Sequence, residues 1–231
     1  MSESFGFVRV ATSAPPLRVA NPEFNSEQTV QVIREAYRQG AQLLLFPELG
    51  LTGYTCGELF LQDTLLADAL HALSHVCQVT ETTTGLVVLV GLPLVVEDRL
   101  YNVQAVVQNG EIKGLVPKTY RPEQGEFMES HWFASSIHYA GHEEIDLFGL
   151  SVPWGANLIF RVPDVRKIEI ALLGDVYRRI RRDLAHRAAD KVLDLFLHCR
   201  TRSVDRGGFH RSPARRIVEG PLQDRAHVAV V

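Results

Sequence analysis

Two short runs, Leu43-Leu44-Leu45-Phe46 and Leu86-Val87-Val88-Leu89-Val90-Gly91-Leu92, carry no polar face. A strand with one wet face alternates apolar and polar side chains, so strands without that alternation belong to a sheet covered on both sides. Both runs stop far short of the roughly 20 apolar residues of a membrane-spanning helix. They read as strands over residues 41–46 and 86–92, the first ended by Pro47. Helical spacing surrounds them. Val30, Ile33, Ala36 and Tyr37 recur at helical intervals behind Ser26, a suitable N-cap followed by Glu27, and Gly40 stands where a C-cap glycine belongs. Leu66, Ala69, Leu70, Leu73 and Val76 mark a second amphipathic helix over 59–79. Phe7-Val8-Arg9-Val10-Ala11 alternates as a first strand before a loop containing Pro15, Pro16 and Pro22. Asn109-Gly110 joins 101–107 to 112–116 as a hairpin, since that pair accepts the positive φ of a tight turn. The order is that of an α/β domain spanning residues 1–170, with no linker or repeat.

With 46% hydrophobic and 22% charged residues, the composition is that of an ordinary folded chain rather than a disordered one. The net charge of −3 hides a break. Residues 1–170 hold eleven Lys and Arg against twenty Asp and Glu; residues 171–231 hold thirteen against seven, and twelve of those thirteen are Arg, among them Arg178, Arg179, Arg181, Arg182, Arg215 and Arg216. Such a tail can hold anionic partners, or it is a solvated, partly helical end in which Ile180, Leu184, Ala188, Val192 and Leu195 have helical spacing. The N-terminus has no basic flank leading into an apolar stretch, so the expectation is a cytoplasmic protein without a signal peptide or myristoyl site. Cys56, Cys77 and Cys199 are too scattered for a disulfide framework or a paired metal site.

A carboxylate at a strand end beside a tight turn is a candidate base, because the sheet edge holds it rigidly where ligands dock. Glu48 stands so, after Phe46-Pro47 and before Leu49-Gly50-Leu51-Thr52-Gly53-Tyr54; Lys118 follows Leu115-Val116-Pro117 in the same way. Taken alone, each is more often a surface charge than a catalytic group. His71 and His75 lie one helical turn apart and are surface residues or a metal pair, while His186, His198 and His210 have no zinc spacing with Cys199. Cys77 reads as a core residue of its helix and Cys56 as a loop residue.

Phe46-Pro47-Glu48-Leu49 with Thr52-Gly53-Tyr54, then Val116-Pro117-Lys118-Thr119-Tyr120 and Glu126-Phe127, resembles the nitrilase (carbon–nitrogen hydrolase) superfamily. The flanks Phe5-Gly6-Phe7-Val8-Arg9-Val10-Ala11, Thr55-Cys56-Gly57-Glu58-Leu59-Phe60 and Trp132-Phe133 are more similar to the N-terminal glutaminase domain of bacterial glutamine-dependent NAD synthetases, over about residues 5–170. The resemblance implies an α-β-β-α sandwich, incomplete here at its C-terminus. It also implies a Glu-Lys-Cys mechanism that releases ammonia from glutamine. In it Glu48 would accept the thiol proton, Lys118 would stabilise the tetrahedral oxyanion and Glu126 would serve as the second glutamate. By the same resemblance the chain assembles as a homo-oligomer. ATP and nicotinic acid adenine dinucleotide belong to a synthetase domain beyond this chain, which itself carries no cofactor or metal and engages neither membrane nor nucleic acid.

One position breaks the pattern. The family's hydrophobic-Glu-hydrophobic-Cys strand end reads Ile168-Glu169-Ile170-Ala171 here, and alanine cannot attack a carbonyl. Gln124 stands where the family has an aromatic residue at the glutamine site, and everything after Ile170 departs from the pattern at the point where the charge breaks. A shifted reading frame over 171–231 accounts for that coincidence; a natural pseudoenzyme is the other account. The competing functions are a free-standing amidase of the superfamily and a non-catalytic binding protein that keeps the sandwich.

Overall fold

The computed structural model describes residues 9–121, 123–124, 127–139, 141, 143–161, 168–172, 197–201 and 229–230. Strand β1 (Val10–Thr12) leads through a proline loop into helix α1 (Pro22–Arg38), then β2 (Leu43–Leu45), helix α2 (Asp63–Thr80) and β3 (Val87–Val96). Strands β4 (Arg99–Gln108) and β5 (Glu111–Pro117) complete an antiparallel meander on β3. β1, β2 and β3 are mutually parallel, as helical crossovers require. Short pairs follow: β6 with β7 (Glu123–Gln124, Phe127–Met128) and β8 with β9 (Glu144–Leu147, Leu150–Pro153). β10 (Ile159–Arg161), β11 (Ile168–Leu172) and β12 (Leu197–Thr201) form a separate three-stranded sheet, and β13 (Ala229–Val230) pairs antiparallel with β1.

The apolar runs behave as strands buried on both faces. Leu44, Phe46, Val88, Val90 and Leu92 point to one side, where Val30, Ile33 and Ala36 of α1 and Leu73, Val76 and Cys77 of α2 close the main core. Leu43, Leu45, Val87 and Leu89 point to the other side and pack with Val106, Val116, Leu158 and Phe160. The absence of alternation in these runs is therefore the period-two pattern of a strand with two dry faces.

Two local expectations shift, and one hairpin appears that the sequence did not signal. Helix α1 begins a turn earlier than the Ser26 cap implies. Asn21 caps it by accepting from Phe24 N at 3.0 Å, Pro22 sits at the first helical position, and the Ser26 hydroxyl instead donates to Glu23 O at 2.9 Å. Residues 57–61 form a 3-10 turn rather than the start of α2, which lets Phe60 bury itself among Leu49, Cys56, Leu65 and Phe133. A second hairpin, between β3 and β4, turns on Glu97 and Asp98 with φ of +49° and +60° in place of glycine. The Asn109-Gly110 turn forms as expected, with φ of +53° and +80°. The helical spacing noted between Ile180 and Leu195 lies outside the described residues.

Candidate functional site

Sheet register carries the two charged strand ends to one place. Leu45 lies level with Leu89, Leu92 with Val103, and Val103 with Pro117, so the residues following β2 and β5 emerge on a common edge. Glu48 follows β2 by three residues and Lys118 follows β5 directly; Lys118 Nζ donates to Glu48 Oε2 at 2.7 Å. The lysine's backbone N–H donates to Asn102 O at 2.8 Å, which fixes where its side chain starts.

The turn that presents Glu48 depends on Gly91. A Cβ at residue 91 would lie 2.5 Å from Leu49 N and 2.8 Å from Pro47 O, so only a glycine in β3 admits the 47–49 backbone at this distance. Leu51 N then bonds to Gly91 O at 3.1 Å, and Leu49, at φ +51°, is held in the left-handed region by complete burial of its side chain. Gly91→Ala is therefore expected to destabilise the fold by about 1–3 kcal/mol through overpacking. Urea unfolding measures that loss, and a loss below about 0.5 kcal/mol would show that the turn is free to move aside.

A second carboxylate completes the cluster. Lys118 Nζ donates to Glu129 Oε1 at 2.9 Å, and Tyr54 OH donates to that same oxygen at 2.6 Å. Glu129 is buried, its side chain 3% exposed, against 15% for Lys118 and 23% for Glu48. Its Oε2 has no hydrogen-bond partner among the described residues. Burial pushes the Glu129 carboxyl above the usual carboxylate range, and the negative charge of Glu48 adds to that push; Lys118 and the Tyr54 hydroxyl oppose it without cancelling it. For Lys118, burial pulls the ammonium down, but Glu48 and Glu129 together outweigh it and the net direction is up. The lysine therefore stays charged at neutral pH, and a fixed ammonium of this kind can stabilise an oxyanion but cannot act as a base.

Glu129 and Asn102 were not legible as site residues in the sequence. Glu126, the carboxylate assigned by resemblance, lies outside the described residues; among the described residues the carboxylates that meet Lys118 are Glu48 and Glu129. Glu123, Glu126 and Glu129 share one stretch, and spacing alone does not choose among them. The available signal was Trp132-Phe133: Trp132 N and Phe133 N both bond to Glu129 O, so the aromatic pair that packs against Phe60 fixes the turn carrying Glu129. Of Gln124 and Ala171 the backbone is described. Gln124 lies in β6 opposite Phe127, and Ala171 lies in β11 opposite Ile159 of β10 and His198 of β12.

The remaining candidates lie elsewhere. Cys56 is buried and donates its thiol to Thr52 O and Gly53 O at 3.2 and 3.3 Å, and burial pushes its thiol up. Cys77 belongs to the main core, where burial and then Glu81 raise its thiol to about 11. Neither environment generates a thiolate nucleophile. Cys199 lies on β12 opposite Ile170. His71 and His75 line an open cavity of about 510 Å³ with Glu23, Asp68 and Ser26, and His75 Nδ1 is 3.3 Å from Ser26 Oγ. Among the described residues no group of three or more His, Cys, Asp and Glu is placed to hold a metal ion. None of their helices is long and apolar enough to cross a membrane.

The carbon-nitrogen hydrolase family model matches residues 9–174, more than half of the chain. The chain belongs to the carbon-nitrogen hydrolase family. It is 37% identical over 161 residues to the glutamine-dependent NAD(+) synthetase of Mycobacterium tuberculosis, covering 69% of this chain and 23% of that protein. The enzyme of the same name from Aquifex aeolicus is 35% identical over 115 residues, covering 50% of this chain and 20% of its own length. Among solved structures, a glutamine-dependent NAD(+) synthetase from Cytophaga hutchinsonii superposes with a TM-score of 0.61 at 26% identity, covering 71% of this chain and 27% of that one. The chain thus spans about a quarter of the length of these relatives. Its α/β architecture is that of the nitrilase superfamily, and by family the protein is an enzyme.

Proposed function

We propose that this chain carries the glutaminase site of a glutamine-dependent NAD synthetase with its nucleophile position occupied by Ala171. The observation that carries the reading is the partly buried Glu48–Lys118–Glu129 cluster, found in a chain with synthetase relatives at 37% identity. In such a site Glu48 would take the nucleophile's proton and return it to departing ammonia, while Lys118, clamped between two carboxylates, would face the oxyanion of the tetrahedral intermediate. Glu129 would hold the lysine in place. The ammonia would serve a synthetase reaction that uses ATP and nicotinic acid adenine dinucleotide, in the cytoplasm. Alanine at 171 supplies no electron pair for the first step, so the cluster has the supporting groups of the reaction without its attacking atom.

The test is ammonia release from glutamine by the purified chain, beside an Ala171→Cys variant. The chain as written is expected to give no turnover above a Lys118→Met control. Turnover that survives in the chain as written would place the nucleophile elsewhere and overturn the assignment of residue 171.

We also propose that residues 171–231 are read in a shifted frame, since the change to Arg-rich sequence coincides with the loss of the family pattern. Resequencing the gene, with the intact mass of the purified protein, decides this: an additional or missing base near codon 171 is expected, and an intact frame would refute it.

A further inference from the structure

We propose that Asn102 is a positioning residue of this site, orienting Glu48 so that a single oxygen is left to exchange a proton. The inference rests on the carbon–nitrogen hydrolase reading of Glu48 as the base. Asn102 is a buried polar residue of β4, 4% exposed. Its side-chain Nδ2 donates to Glu48 Oε2 at 3.2 Å, the same oxygen that receives Lys118 Nζ at 2.7 Å. Among the described residues no donor reaches Glu48 Oε1. Among the described residues the two oxygens therefore differ: Oε2 is held from two sides, by Lys118 and Asn102, and Oε1 receives no described donor. Asn102 also acts through its backbone, because its carbonyl accepts from Lys118 N at 2.8 Å. One residue thus sets the direction of the carboxylate with its side chain and the starting point of the ammonium with its main chain. A lysine alone leaves the carboxylate free to rotate about its last bond, because a point charge imposes little direction; a planar amide adds a second, directional donor.

The test is isotope-labelled NMR of the full chain. The side-chain amide resonances of Asn102 are expected to shift in Glu48→Gln, which replaces the carboxylate oxygen that the amide donates to. In Asn102→Leu the Glu48 carboxyl resonance is expected to shift while that of Glu129 holds its place. Asn102→Asp, of the same size, guards against a folding failure of the leucine variant and is expected to shift the Glu48 resonance as well. A residue that merely fills space would leave its amide resonances unchanged by Glu48→Gln, and that result overturns the proposal. Ammonia release by Ala171→Cys is a separate outcome. Coupled Asn102 and Glu48 resonances uphold the positioning whatever the turnover, and uncoupled resonances overturn it whatever the turnover; the catalytic reading is overturned separately, by turnover in the chain that carries Ala171.

Discussion

Replacing Lys118 by methionine is expected to lower the stability of the fold at pH 7 by about 3–5 kcal/mol, measured by urea unfolding, because it strands the buried Glu129 and the half-buried Glu48 without their cation. The lysine bonds to Glu48 and Glu129 at 2.7 and 2.9 Å, and Glu129 is almost wholly buried. The pH dependence follows from Glu129. Its carboxyl stands above the ordinary 4.5 in the folded state, so the folded chain binds more protons than the unfolded one between that value and the raised one. The stability linked to this group is therefore complete below about pH 4.5 and is lost as the pH rises through the folded value. Removing Lys118 deletes the group's main charge partner and deepens that loss, so the deficit of Lys118→Met should shrink on acidification. Adding Glu129→Gln should recover most of it. In the parent chain the lysine contributes in the opposite part of the scale: its raised value keeps its contribution intact below 10.5, to be lost as the pH climbs through the folded value.

Trp154→Ala is expected to cost about 3–5 kcal/mol, the usual penalty for emptying a large aromatic site in a core. Trp154 is 2% exposed and stands edge-on to Tyr101 at 5.3 Å and Tyr139 at 5.6 Å. Its segment also bridges the sheet: residue 154 pairs in parallel with Leu115, and Gly155 N bonds to Leu115 O. The tryptophan anchors this arm to β5, three residues from Lys118. Its Nε1 has no hydrogen-bond partner among the described residues, so Trp154→Phe keeps one aromatic ring and discards a buried polar atom together with part of the ring volume. That variant should lose less than the alanine variant, about 1–2 kcal/mol, because it leaves the smaller cavity. Equal losses in the alanine and phenylalanine variants would show that ring packing is not what holds the arm.

Much of this architecture was readable because burial leaves a plain mark on sequence. Leu43–Phe46 and Leu86–Leu92 lacked alternation and proved dry on both faces, and Asn109-Gly110 met the turn its backbone permits. The Ser26 cap misled because serine suits two jobs: Asn21 before Pro22 took the capping role and left Ser26 to bond inside the first turn. The hairpin at Glu97-Asp98 left no sign, since neither residue is glycine. In the site, Glu48 and Lys118 were legible as rigid strand ends. Glu129 was not, because its role depends on a turn fixed by aromatic packing rather than on spacing, and Asn102 sits inside a strand where an asparagine carries no local signal.

The most direct measurement of the central claim, that Glu48 and Lys118 act as one coupled unit, is a double-mutant cycle of Glu48→Gln and Lys118→Met by urea unfolding at pH 7. A coupling of about 1–3 kcal/mol is predicted for charges in direct contact and largely out of water. Losses that add within about 0.5 kcal/mol would mean the two side chains do not meet, and would contradict the account.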